Sequence, residues 1–364
     1  MCIVCAAFLT DRDTAKAAPK ELEILPTDVT TASDGCILVG IEGEYAAQVK
    51  DALDRVNEIR KEACQEGVPD PSSPNRKLKP ADYVPIQWSS SLEYIARIRA
   101  AEAAVLSGHE RPNGSVCFSL EAPDGTSSYG EVLAWNSGSD GSMVRGINQW
   151  YSEKEDWVAQ DPGAVTEHYT SMIDPENKYM GLGAFVTAFG EWRCSVSGEF
   201  CSRDSSGSSA SDSTGRCIQT IEVKKDCLKG LQIFHGDENA SDGLALEIGK
   251  PAALAARVKV AIGEDTSFCN YLDSITWTSS DPSVAQADSQ GVVTVKKSGD
   301  AVITASAGNG LSASCRLLNV PKGTSFSSLK GGKGSITLRW KAQKQADGYI
   351  IKVSKDKSPD SNGM

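Results

Sequence analysis

The hydrophobic period of the chain changes part-way along it. Val49, Leu53, Val56 and Ala63 recur three, four and seven residues apart with charges between them, the spacing of one helix face. After about Lys224 that period is gone. Short β-rich runs replace it, Ile275-Thr-Trp-Thr278, Gly291-Val-Val-Thr-Val295 and Ala301-Val-Ile-Thr-Ala305, each bounded by turn residues. A face that repeats every 3.6 residues and one that repeats every two cannot share one layer. The chain therefore carries two architectures in succession, and its 364 residues suit two or three domains.

The first architecture mixes helices and strands. A helix is expected from Glu44, broken at Gly67-Val-Pro-Asp-Pro-Ser-Ser-Pro74. A second begins at Ser90 or Ser91, behind a serine cap, and stops near Gly108. A third covers Met143 to about Trp157, and strands follow at Met180–Val186 and Trp192–Val196. Helices enclosing a small sheet make this an α+β fold, an α-β-α sandwich. The Ser/Asp/Gly run from Ser202 to Thr214 reads as a flexible loop.

These patterns divide the chain at 1–18, 19–43, 44–224, 225–320 and 321–364. The first stretch is apolar from Met1 to Leu9 and carries Ala15-Lys-Ala17, the small-x-small form of a cleavage site. No basic region precedes it, so it reads as a signal peptide remnant. Residues 19–43 read as a polar linker, and 225–320 as an all-β sandwich. The last piece holds strand runs at Ile336–Trp340 and Gly348–Val353, half a sandwich with an open edge.

A net charge of -11 argues against a nucleic-acid binder, which needs a basic face. No apolar run reaches the roughly 20 residues of a membrane span. Eleven cysteines are spread along the chain, and the one CxxC spacing is Cys2-Ile-Val-Cys5 in the leader. Scattered cysteines point to an oxidising compartment, with local bridges expected for Cys194–Cys201, Cys217–Cys227 and Cys269–Cys315.

There are three histidines. His109 stands in His-Glu-Arg-Pro-Asn-Gly114 and His168 in Glu-His-Tyr-Thr170; between them lie Gly130-Glu131 and Trp150-Tyr-Ser-Glu153. Two imidazoles and two carboxylates form a metal-binding or acid–base cluster if the fold brings them together, and that donor set suits zinc and related divalent ions. No HExxH helix and no GxSxG elbow is present, so any site is assembled across the domain. Cys117 reads as a bridged or buried thiol rather than a nucleophile. His235 reads as a surface or linker residue, and Trp135, Trp150 and Trp157 as packing residues.

The residues from Glu44 to about Arg203 resemble the CAP superfamily, which groups cysteine-rich secretory, antigen-five and pathogenesis-related-one proteins and is also called the SCP domain. The motifs are Val56-Asn-Glu-Ile-Arg60, Trp88 and Leu92, His109–Gly114, Gly130-Glu131, Trp150–Glu153, His168-Tyr-Thr170 and Gly181-Leu-Gly183. The resemblance implies a cleft in which His109, Glu131, Glu153 and His168 gather as a tetrad, binding a divalent metal or acting as catalytic residues. Two positions depart from the pattern: Val132 stands where asparagine is usual, and Asn113 where aspartate is common. Trp277–Ala285, Gly291–Thr294 and Gly299–Thr304 resemble a bacterial immunoglobulin-like domain of group two. Trp340 and Ala346-Asp-Gly-Tyr349 resemble the first half of a fibronectin type III domain.

Together these imply a secreted or cell-surface protein, without a transmembrane segment. Its cleft holds a divalent metal such as zinc and a small lipid or peptide, or a cell-wall component, on β-sandwich spacers. A metal-dependent hydrolase and an adhesion protein with a vestigial cleft are the alternatives.

Overall fold

The computed structural model describes residues 22–203, 215–320, 326–332 and 335–342. The signal-peptide stretch, the Ser/Asp/Gly loop and Ala346–Tyr349 of the fibronectin resemblance lie outside them. The chain forms two compact units, Leu22–Leu231 with Arg257–Ser274, and Gln232–Ala256 with Ile275–Met364. The fold is α+β, as expected.

In chain order the first unit contains β1 (Glu23–Leu25), β2 (Cys36–Tyr45), α1 (Val49–Glu66), a small hairpin of β3 (Pro69–Asp70) and β4 (Ser73–Lys77), β5 (Gln87–Trp88) and α2 (Ser90–Ala103). It continues with β6 (Gly130–Asn136), α3 (Met143–Tyr151), α4 (Lys154–Ala159), α5 (Glu167–Ile173), β7 (Tyr179–Thr187), β8 (Cys194–Cys201) and β9 (Arg216–Lys224). β6, β8 and β7 are antiparallel neighbours, and β7 pairs in turn with the end of β2. β9 runs along the other edge of β2 over nearly its full length.

The stretch read as a linker therefore carries β1 and most of β2. β2 lies at the centre of the sheet, with Val39 and Ile41 fully buried. Its alternation is masked in sequence by glycines and glutamates, Gly-Ile-Glu-Gly-Glu, which sit there because neighbours pack closely or pair with the carboxylates. Glu42, for instance, meets Arg216 and Arg257 at 2.6 Å each. The helix expected from Glu44 starts at Val49, because β2 continues to Tyr45.

Helices cover both faces of the sheet. α1, α3 and α5 pack together on one face, over a core that includes Val132, Ala134, Trp150, Tyr169, Met180 and Leu182. α2 covers the other face against β7 and β8. Ser89 caps α2, its Oγ accepting from the Leu92 N–H at 3.2 Å. Gly181 and Gly183 explain the close fit: a Cβ on them would lie 2.1 Å from the Glu93 nitrogen and 2.6 Å from the Ala96 carbonyl oxygen.

The first unit also takes in residues beyond Lys224. β10 (Leu228–His235) leaves it, and later a hairpin of β14 (Ala255–Ile262) and β15 (Asp265–Tyr271) returns, pairing Arg257–Ile262 with Asp265–Asn270. Asn270 and Tyr271 of β15 pair with Gly40 and Val39 of β2. Residues 257–274 thus belong with the α+β unit, although their β pattern alone groups them with the sandwich.

The second unit is all β. β10 ends in a turn to β11 (Glu238–Asn239). β12 (Leu244–Glu247), β20 (Ser312–Val320), β19 (Ala301–Ala307) and β16 (Ile275–Ser279) form one sheet, and β13 (Pro251–Ala253), β18 (Val292–Val295) and β17 (Ala285–Ala287) another. β19 alternates buried and half-buried residues throughout, as a sandwich strand must. Beyond it, β21 (Phe326–Gly332) and β22 (Ser335–Trp340) form a hairpin.

No disulfide joins the described cysteines. Cys194 and Cys201 are the two ends of β8, seven steps of roughly 3.3 Å apart, far beyond the ~7 Å Cα limit of a bridge. Cys217 sits near the start of β9, and that strand carries the chain away from it before Cys227. Cys269 and Cys315 fall in different units. No helix among the described residues is long and apolar enough to cross a membrane.

Candidate functional site

His109 follows the end of α2, and Glu131 is the second residue of β6. His109 Nδ1 lies 2.8 Å from Glu131 Oε1. The imidazole is 55% exposed and the carboxylate is fully buried, so the pair bridges solvent and interior. Glu131 points to the α2 face, where Arg99 donates from Nε to Oε2 at 2.5 Å and from Nη2 to Oε1 at 3.2 Å. The same Arg99 donates to Glu102 at 2.6 Å and to the Gly108 carbonyl at 3.1 Å, which fixes the turn leading into His109.

The chain of charges continues inward. Glu102 accepts from Arg111 at 2.8 Å, and both Arg111 terminal nitrogens reach Asp28 at 2.8 Å. Burial opposes the charge on Arg99 and on Arg111, but the carboxylates around them outweigh it and raise both pKa values. Burial likewise pushes Glu131 upward, while His109 and Arg99 hold it below the usual carboxylate range. Glu199 stands directly opposite Glu131 on β8. Full burial, then the facing Glu131 charge, drive Glu199 well above its ordinary pKa.

Cys117 completes this corner. It lies in a single 3-10 turn, Cys117–Ser119, and is 7% exposed. Burial, then the Glu131 charge, push its thiol up to about 12. One donor atom from each of His109, Cys117 and Glu131 lies within 4.8 Å of the other two.

The second pair is built differently. The third helix breaks after Tyr151, and Glu153 sits at the junction with α4 rather than inside one long helix. From there its Oε2 accepts the backbone N–H groups of His168 and Tyr169 at 3.1 Å each, at the start of α5. Its Oε1 meets His168 Nδ1 at 2.5 Å. Glu153 thus supplies the cap that α5 lacks from its own Thr166.

The four residues named from sequence therefore form two His–carboxylate pairs. The first is anchored to α2 and the second is carried by the helices of the opposite face. The donor atoms of Glu153 and His168 do not join those of His109, Cys117 and Glu131 within the 4.8 Å span. Sequence reasoning missed Arg99, Glu102, Asp28 and Glu199. A signal existed for two of them: Arg99 and Glu102 are charges on the buried side of an otherwise apolar helix.

Residues 53–192 match the profile of the CAP, or cysteine-rich secretory protein, family, and residues 254–316 that of the group 2 bacterial Ig-like domain. The chain carries a CAP domain followed by a bacterial Ig-like domain. No curated protein matches it. A crystal structure of an EHEC O157:H7 intimin mutant matches at 18% identity and a TM-score of 0.18, covering 28% of this chain and 48% of that one. At that score the likeness carries no argument.

The CAP motifs acquire physical roles. Asn57 on α1 exchanges hydrogen bonds with the Ile86 backbone at 2.8 and 3.1 Å, and Arg60 donates to the carbonyls of Val84, Met172 and Asp174. The indole N–H groups of Trp135, Trp150 and Trp157 each donate to a backbone carbonyl, which fits packing rather than a ligand cage. Asn113 departs from the CAP aspartate for a reason: its Nδ2 donates to Glu222 at 2.7 Å, where a second carboxylate would repel. Val132, in the asparagine position, is buried in the α1/α3/α5 core.

The CAP family implies a divalent metal, and the donor chemistry fits one. Each imidazole is oriented by a carboxylate at Nδ1, the arrangement that raises ligand basicity at metal-bound histidines. At the first pair His109 would supply imidazole nitrogen and Glu131 carboxylate oxygen.

Proposed function

We propose that this chain is a secreted or cell-surface binding module. Its CAP cleft holds a divalent cation and, beside it, a small lipid or peptide, with the Ig-like domain as a spacer. The observation that carries this is the setting of His109: a half-exposed imidazole held by a buried, ionised carboxylate, with exposed apolar residues close in the chain to its neighbours Cys117 and Glu131. Val116, Phe118 and Tyr129 are 67%, 46% and 59% exposed, and they stand within two residues of Cys117 or Glu131. A polar imidazole–carboxylate pair together with exposed apolar residues suits an amphipathic ligand. The pairing of a CAP with an Ig-like domain is compatible with an extracellular protein.

Calorimetric titration of the purified chain with zinc, and then with a fluorescent fatty acid and a peptide library, tests this reading. Saturable binding that weakens in His109→Ala and in Phe118→Ser is expected. A folded protein that binds neither zinc nor any of these ligands would refute it. Turnover of the peptides, abolished in Glu131→Gln, would make the site a hydrolase instead.

A further inference from the structure

We propose that the cation is held by His109, Cys117 and Glu131, a mixed nitrogen–sulfur–oxygen site for a thiophilic divalent metal such as zinc. This rests on the preceding reading and names its ligands. Neither His168 nor Glu153 is among them.

Three observations support the assignment. The first is distance. Tetrahedral zinc bonds of about 2.0–2.3 Å place ligand atoms roughly 3.3–3.8 Å apart. The three donors already lie within 4.8 Å of one another, so a contraction of about 1 Å completes the set. The second is how the donors are mounted. Glu131 is fixed on β6 by Arg99, whereas His109 lies in a loop and Cys117 in a single 3-10 turn. Two loop-borne ligands can draw in on one immobile carboxylate.

The third is charge. The carboxylates of Asp28, Glu102 and Glu131 share the guanidinium groups of Arg99 and Arg111, three negative groups against two positive. On binding, the thiol loses its proton to solvent and the sulfur lone pair goes to the metal. The imidazole binds through a ring nitrogen that carries no proton. Three protein ligands leave a fourth position for water or for an anionic group of the ligand. Borderline and soft cations are favoured by the thiolate over magnesium or calcium.

The experiment uses the full reduced chain loaded with Co2+ or Zn2+. Cobalt should give a sulfur-to-metal charge-transfer band, and zinc-edge X-ray absorption of the wild type should show one sulfur at about 2.3 Å. Cys117→Ser should abolish the band and weaken zinc binding by more than about 100-fold, beyond what a lost outer-shell partner costs. His168→Ala should leave both unchanged. Metal bound without a sulfur ligand, or with more than one, overturns this ligand set. So does binding that is lost in His168→Ala and kept in Cys117→Ser. Either result leaves the binding-module reading standing. Absence of metal binding in the folded wild type overturns the ligand set and the metal part of that reading, while retained lipid or peptide binding would preserve its remainder. The absorption measurement needs no variant, so it decides the matter even if Cys117→Ser does not fold.

Discussion

The two His–carboxylate pairs hold the same chemistry in unlike ways. Glu131 is a strand residue buried among charges, fixed by a guanidinium that it shares with Glu102. Glu153 stands at a helix junction and is fixed by the backbone amides that open α5. The first pair depends on a network reaching from Asp28 to His109, and the second on one helix end. A lost partner should therefore cost far more at the first pair, and the damage there should spread further.

Arg99→Met gives the largest expected effect. It strands two buried carboxylates, and breaking a buried ion pair costs about 3–5 kcal/mol. Urea unfolding of the full chain measures it. A loss under 1 kcal/mol would show that His109–Glu131 does not depend on the network.

Asp28→Asn comes next, with an expected loss of about 1.5–3 kcal/mol, the range for hydrogen bonds to charged groups. Burial raises the Asp28 pKa, but the Arg111 bonds and charge more than compensate, so the folded value lies below normal. A depressed folded pKa stabilises above the unfolded value of about 3.9 and the effect fades as pH falls through the folded one. The gap between wild type and variant should stay constant from pH 7 to about 5 and close below about pH 4. A gap independent of pH would break the assignment of its stability to the ionised pair.

Glu153→Ala should cost about 0.5–2 kcal/mol, the worth of a helix cap. Its signature is local: faster amide exchange at His168 and Tyr169, with the Arg99 network untouched. If exchange also accelerates through α2, the two pairs are coupled and the contrast between them fails.

Asn113→Asp has the smallest effect. It replaces a donor to Glu222 with a like charge, for about 0.5–1.5 kcal/mol, the net worth of one hydrogen bond. A stabilised variant would show that Asn113 and Glu222 do not pair in solution.

The contrast also explains what could be read in advance. The residues His109, Glu131, Glu153 and His168 stand in compact local motifs, so they could be named in advance. Their partners mostly were not. Arg99 falls on the apolar side of α2, but only the α2–sheet contact shows which carboxylate it meets there. Arg111 was visible as part of a motif, but its partner Asp28 lies in a stretch that reads as linker. β2 was missed because glycines and glutamates interrupt its alternation, although its centre is fully buried. The break in the third helix after Tyr151 has no proline or glycine to announce it, yet it delivers Glu153 to the start of α5.

The sequence by itself determined the succession of an α-β-α unit and a β-sandwich, because hydrophobic periodicity is local and survives without coordinates. It also singled out two imidazoles and two carboxylates that the fold joins as two His–carboxylate pairs. Tertiary structure alone decided how they group. The choice of partner for a buried charge is made by strands and helices distant in sequence, here Asp28 with Arg111 and Arg99 with Glu131. The same contacts set Cys117 beside His109 and Glu131, and residues 257–274 in the sheet of the first unit. A short pattern carries the chemistry of a side chain; only the packed fold supplies its neighbours.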